Sequence, residues 1–132
     1  MVTDRVGDFI IRLQNAVMVG KREVRAPYSG HIIAIAKKLK ELGFVERVEI
    51  RGEEDAGREI IATLAYDERG AAKLRGVKRV SSPGRRLYTS AGQAHRVKGG
   101  TGARLISTSS GVLSDTEARQ RHVGGEDLFE IW

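Results

Sequence analysis

At 132 residues and 14.5 kDa, the chain has room for one domain or two small ones, which excludes a layered enzyme of several domains. Forty per cent of the residues are hydrophobic and none is cysteine, a composition that folds, forbids disulfides, thiolate metal sites and a cysteine nucleophile, and fits a reducing compartment. A formal charge of +6 favours an anionic partner, and with charge in the first five residues and no apolar run near the roughly 18 residues of a membrane span, a soluble, cytoplasmic protein with no membrane partner is expected.

The first half reads α-β-α-β-β. Val6, Phe9, Ile10, Leu13, Ala16 and Val17 recur at helical spacing, with Thr3 or Asp4 as cap, Gly20 as stop, and Arg12 and Asn15 turned outward. Glu23 to Ala26 is a short strand closed by Pro27. Ser29 then opens a second helix with an apolar face of Ile32, Ile33, Ile35, Ala36, Leu39 and Leu42, ended by Gly43. Phe44 to Arg51 and Arg58 to Tyr66 follow as strands, the latter alternating at Ile60, Ala62, Leu64 and Tyr66. The loop between them holds Glu53, Glu54 and Asp55, which read as solvated.

After residue 66 glycines multiply and apolar runs shorten. Strands are expected at Val77 to Val80, Arg86 to Thr89, Arg104 to Thr108, Val112 to Leu113 and Asp127 to Trp132, with a turn at Ser81-Ser82-Pro83-Gly84. Ser114-Asp115-Thr116-Glu117 is a capping box opening one short helix. The expected fold is α+β: an α/β domain over 1–66, packed on a small antiparallel β domain with one short helix over 67–132.

Ten basic residues and no acidic one lie between Arg69 and Arg104, including Arg85, Arg86, Arg96 and Lys98. Solvated surfaces mix both signs, so this window reads as an anion site, with nucleic acid the leading ligand. His31, His95 and His122 form no metal-binding pattern, and Gly100-Thr101-Gly102 lacks the third glycine of a dinucleotide loop; no metal and no cofactor are expected. The run Ser107-Thr108-Ser109-Ser110-Gly111 lacks the glycine two residues before Ser109 that a nucleophile elbow needs. It is either a turn bonding its own backbone or a loop of small donors facing bases and riboses, and the neighbouring basic window favours RNA. Tyr88 is a stacking candidate, and Glu126 can accept from a base amino group.

These residues resemble a known family, the bacterial form of small-subunit ribosomal protein eight. The resemblance runs through Asp8-Phe9-Ile10-Ile11-Arg12-Leu13-Gln14-Asn15-Ala16, Pro27-Tyr28-Ser29, Arg79-Val80-Ser81-Ser82-Pro83-Gly84-Arg85-Arg86-Leu87-Tyr88, Ser107 to Asp115 and Gly124-Gly125-Glu126, to Trp132. It implies a primary rRNA-binding protein of the small subunit's central domain, monomeric when free, that neighbours other ribosomal proteins, helps assemble the platform and can repress a ribosomal-protein mRNA. It implies RNA contacts from Ser107, Thr108, Ser109, Gly111, Tyr88 and Glu126, joined by Ser81, Ser82, Arg85 and Arg86, with a second rRNA region met by Arg12, Asn15 and Ser29. His31, Ser110, Thr101 and Arg104 depart from the family pattern, the last two in a stretch usually more apolar. Two alternatives stay open: a small hydrolase-like enzyme built on Ser107 to Gly111, and an mRNA regulator living off the ribosome.

Overall fold

The computed structural model describes residues 4–53, 57–91 and 101–132; Thr3, Glu54, Asp55, His95, Arg96, Lys98 and Gly100 lie outside the described residues. Two compact units form, one from Asp8–Arg75 and one from Gly76–Trp132 with Asp4 to Gly7. The segment from Asp67 to Arg75, which the change in composition places with the second half, packs with the first. It is tied there by Lys73 N donating to Ala65 O at 2.9 Å, by a bridge between Tyr66 and Ala72, and by the buried Leu74.

Helix α1 (Arg5–Val19) starts where the Asp4 carboxylate accepts from Gly7 N at 3.0 Å and stops at Gly20, whose φ of +74° suits a residue without Cβ. Strand β1 (Glu23–Pro27), helix α2 (Gly30–Glu41), β2 (Val45–Arg51) and β3 (Glu59–Leu64) complete the expected order, with an antiparallel sheet ordered β1-β3-β2. Phe9, Leu13, Ile32, Ile35, Leu39 and Leu64 are fully buried, so both helical apolar stripes face the interior as their spacing predicts. One strand departs from the simple pattern. Ile60, Ile61 and Ala62 are all buried on β3, the central strand of the sheet, so the expected alternation is lost there. Ser29 is extended at the N-cap of α2, yet its side chain makes no capping bond; its carbonyl accepts from Ile33 N instead.

The second unit contains β4 (Val77–Arg79), β5 (Tyr88–Thr89), β6 (Ala103–Thr108), β7 (Gly111–Ser114), α3 (Asp115–Arg121) and β8 (Gly125–Ile131). The order is β4-β8-β6-β7, all antiparallel, and β5 adds to β8 beside its N-terminal end. The Ser114–Glu117 capping box forms as expected, and Ala118 of α3 packs on Ile106 together with Val123, which lies just past the helix. The expected strands shift at their ends, and two of the shifts bear on the site: Arg86 and Leu87 precede β5 rather than belong to it, while β8 begins at Gly125, which brings Glu126 into the sheet. Among the described residues no helix is long and apolar enough to cross a bilayer.

Candidate nucleic-acid interface

The site grows out of β8. Pairing with β6 runs Leu105 to Phe129 and then Ile106 to Asp127, so one step on β6 spans two on β8 and leaves Leu128 as a bulge. That extra residue shifts the register and sets Glu126 opposite Ser107 instead of placing Asp127 there. On the other side β5 sets Tyr88 opposite Glu126. Directly opposed residues share a face. Tyr88, Glu126 and Ser107 therefore form a row across three strands, and Tyr88 is 71% exposed. Both glycines before Glu126 are steric requirements of this crowding: a Cβ at Gly125 would collide with the Ser107 carbonyl, and one at Gly124 with the Thr89 carbonyl.

Beyond Ser107 the chain turns through Ser109 and Ser110 into Gly111, whose φ is +103°. Thr108 holds this turn. Its hydroxyl donates to Gly111 O at 2.8 Å and accepts from Ser110 N at 3.0 Å, so the local-turn reading applies to Thr108, which is spent on backbone. The Ser109 and Ser110 side chains are exposed at the tip and make no hydrogen bond with the described residues. One loop thus divides into a structural hydroxyl and free ones.

The Ser81-to-Arg86 segment divides in the same way. Ser81 is 3% exposed, and its Oγ donates to Leu87 O at 3.1 Å while accepting from Leu87 N at 2.9 Å. Ser81, expected among the RNA contacts, thus spends its one donor on Leu87 in a buried position, which leaves a single lone pair on its oxygen. Ser82 and Arg85 exchange two backbone bonds of 3.0 Å, closing the expected turn and leaving the Arg85 side chain exposed. Arg86 donates to Glu126 at 2.8 Å, and that bond pushes the guanidinium further above its already high pKa.

The basic window is consequently less bare than its sequence suggests. Besides Arg86 with Glu126, Arg79 pairs with Asp4, and Arg104 pairs with both Asp127 and Glu130, so acids elsewhere in the chain partner three of its cations. Arg104, out of place in an apolar stretch, is accommodated by these partners, although its buried Nε has none. Thr89, Asp127 and Glu130 were not singled out by the sequence. The available signal was an acid at each end of the apolar Leu128-Phe129 pair, which a folded sheet must either expose or pair.

In the first unit Arg12 and Asn15 border an open cleft of about 570 Å³ between α1 and β1, with Lys21 and Arg25 beside them. Arg12 is exposed but not idle: it donates to the Asp8 carboxylate at 2.9 Å and to the Arg25 carbonyl at 2.8 Å. Ser29, half-buried at the start of α2, does not line that cleft.

Comparison with known proteins gives the family. The model of the family described as Ribosomal protein S8 matches residues 4–132. The small ribosomal subunit protein uS8 of Helicobacter acinonychis is 39% identical over the whole of both chains, and that of Helicobacter pylori strain Shi470 is 38% identical over the same span. The protein of the same name from Salinispora arenicola is 41% identical, covering 99% of this chain and 98% of its own. A family match over nearly every residue, on the α+β fold whose sheet sets Ser107, Tyr88 and Glu126 in one row, places this chain in the ribosomal protein S8 family.

Proposed function

We propose that this chain, a structural component of the small ribosomal subunit by family, binds the central domain of its rRNA through the Tyr88–Glu126–Ser107 row and the Ser109 tip. The observation that carries this is the row itself: an exposed ring, a carboxylate and a small hydroxyl, scattered in sequence, share one face beside an unspent serine. Tyr88 supplies a stacking surface, Ser107 and Ser109 supply donors and acceptors without bulk, and Glu126 accepts from a base amino group. Arg85, which has no acidic partner among the described residues, adds a positive charge for a phosphate. Thr108, Gly111 and Ser82 act by shaping the turns that present them.

Arg12 and Asn15 at the cleft of the first unit serve a second stretch of rRNA. A ribosomal-protein mRNA that reproduced the rRNA site would compete for the same row, which makes translational repression a matter of competition and not of a separate surface. Membership of a family of structural proteins sets aside the alternative of an enzyme built on Ser107 to Gly111.

The test is a gel-shift titration of an rRNA central-domain transcript at fixed salt. One hydroxyl bond is worth about 0.5–1.5 kcal/mol and one stacked ring about 1–3 kcal/mol. Ser109→Ala combined with Tyr88→Ala should weaken binding on the order of tenfold to a thousandfold, with an unchanged circular dichroism spectrum, while Ser110→Ala does little. Affinity within twofold of wild type in the double variant would remove the row from the interface.

A further inference from the structure

The exposed Tyr88 stands on β5, a strand of two residues, too short for its own ladder to fix a ring in place. The bonds that hold it come from its neighbours on either side. Leu87 O accepts from Asp127 N at 2.9 Å, and the Thr89 hydroxyl lies 2.5 and 2.6 Å from the two oxygens of the Asp127 carboxylate. One residue of β8 therefore grips the chain both before and after Tyr88. Asp127 is itself 5% exposed, and its Oδ2 also accepts from Arg104 Nη1 of β6 at 3.1 Å, while the other terminal nitrogen of Arg104 pairs with Glu130. Side chains alternate along a strand, so Thr89 and Asp127 lie on the reverse of the face that carries Tyr88 and Glu126.

We propose that Thr89 and Asp127 are positioning residues for RNA binding, fixing the backbone of Tyr88 from behind so that its ring meets a base without first having to be ordered. The inference rests on Tyr88 being an RNA contact. Ordering a side chain or its backbone on binding costs affinity, and a site held rigid beforehand avoids that cost. A carboxylate suits this role because a buried charge must keep its partners: losing the Thr89 hydroxyl leaves an acceptor unsatisfied inside the sheet, and the short strand it tethered loosens. Arg104 holds the carboxylate on its other side, so β5, β8 and β6 are joined through one group. A cation in an otherwise apolar stretch thereby has a function.

The experiment compares Thr89→Val, which keeps shape and loses the hydroxyl, with Thr89→Ser, which keeps the hydroxyl. Each is placed in the wild-type and Tyr88→Ala backgrounds and titrated with the central-domain transcript. Thr89→Val should weaken binding about threefold to tenfold, and Thr89→Ser should restore it to within about twofold. In the Tyr88→Ala background Thr89→Val should change affinity by less than about twofold, since the ring it positions is gone. In the free protein the Asp127 amide should exchange faster in Thr89→Val while the Ile106 amide does not. Thr89→Ala provides the same comparison if valine crowds β8. A loss with Tyr88→Ala but none with Thr89→Val overturns this proposal alone, as does an equal loss in both backgrounds or an unchanged Asp127 amide. No loss with Tyr88→Ala overturns the contact reading and this proposal with it.

Discussion

Arg86 and Glu126, 40 positions apart in the chain, meet in an ion pair of 2.8 Å at the edge of the Tyr88 face. Arg85, the residue before, has no such partner among the described residues. Two adjacent arginines that look equivalent in sequence therefore differ in the charge they can offer a phosphate.

The difference is measurable as a salt slope. Each cation bound to a phosphate contributes about one to the slope of log affinity against log salt. Arg85→Ala should flatten it by about one, and Arg86→Ala by less than half as much, because Glu126 already offsets its charge. Equal flattening in the two variants would mean that the Arg86–Glu126 pair opens on binding.

A second pair sets an acid limit. Hydrogen bonds from Arg79 hold the Asp4 carboxyl below its ordinary 3.8, against a smaller opposing effect of burial, with Gly7 N–H adding to the lowering. A folded pKa below the unfolded one gives stability that is fully present above pH 3.8 and is lost as pH falls through the folded value. The gap in urea midpoint between wild type and Asp4→Asn should therefore shrink from about pH 5 to about pH 2. A gap constant over that range would show that the pair contributes nothing dependent on ionisation.

Core and surface should separate cleanly on the helices. Leu13 and Leu39 are fully buried, and truncation of either to Ala should cost about 2–5 kcal/mol in urea denaturation. Arg12→Ala removes an exposed ion pair and one bond to a carbonyl, and should cost about 1 kcal/mol or less. A comparable loss from Arg12→Ala would mean that its bond to Arg25 organises the unit.

Glycines offer a contrast of similar kind. Gly125→Ala forces a Cβ against the Ser107 carbonyl and should cost about 1–3 kcal/mol while displacing Ser107 from its row, so RNA affinity should fall along with stability. At Gly84 a Cβ meets nothing within 4 Å, and Gly84→Ala should leave stability within about 0.5 kcal/mol. A thermally neutral Gly125→Ala would refute the close approach of β6 and β8.

Sequence legibility followed the range of the forces involved. Helix faces, the Ser114 capping box and the glycine stops at Gly20 and Gly43 are local, and residues a few positions apart suffice to specify them. The bulge at Leu128 and the pairing of Arg104 with Asp127 depend on which strands meet, and no local pattern encodes that. The same limit separates Thr108 from Ser109: four hydroxyls in a row look alike until the turn spends one of them. Ser81 looked like surface for the same reason, since only the fold brings Leu87 back onto its hydroxyl.

The bond from Arg12 to the Arg25 carbonyl has a consequence for the free protein in solution. β1 is an outer strand of its sheet. Leu64 N donates to Arg22 O and Tyr28 N to Arg58 O, so the alternating ladder points the groups of Arg25 and Pro27 away from β3. An outer strand of this sort is a template on which a strand from another molecule can assemble. Here the guanidinium occupies the carbonyl at Arg25 and the proline ring removes the donor at Pro27. The edge is blunted at two of its open positions, which disfavours addition of a strand from another molecule along β1.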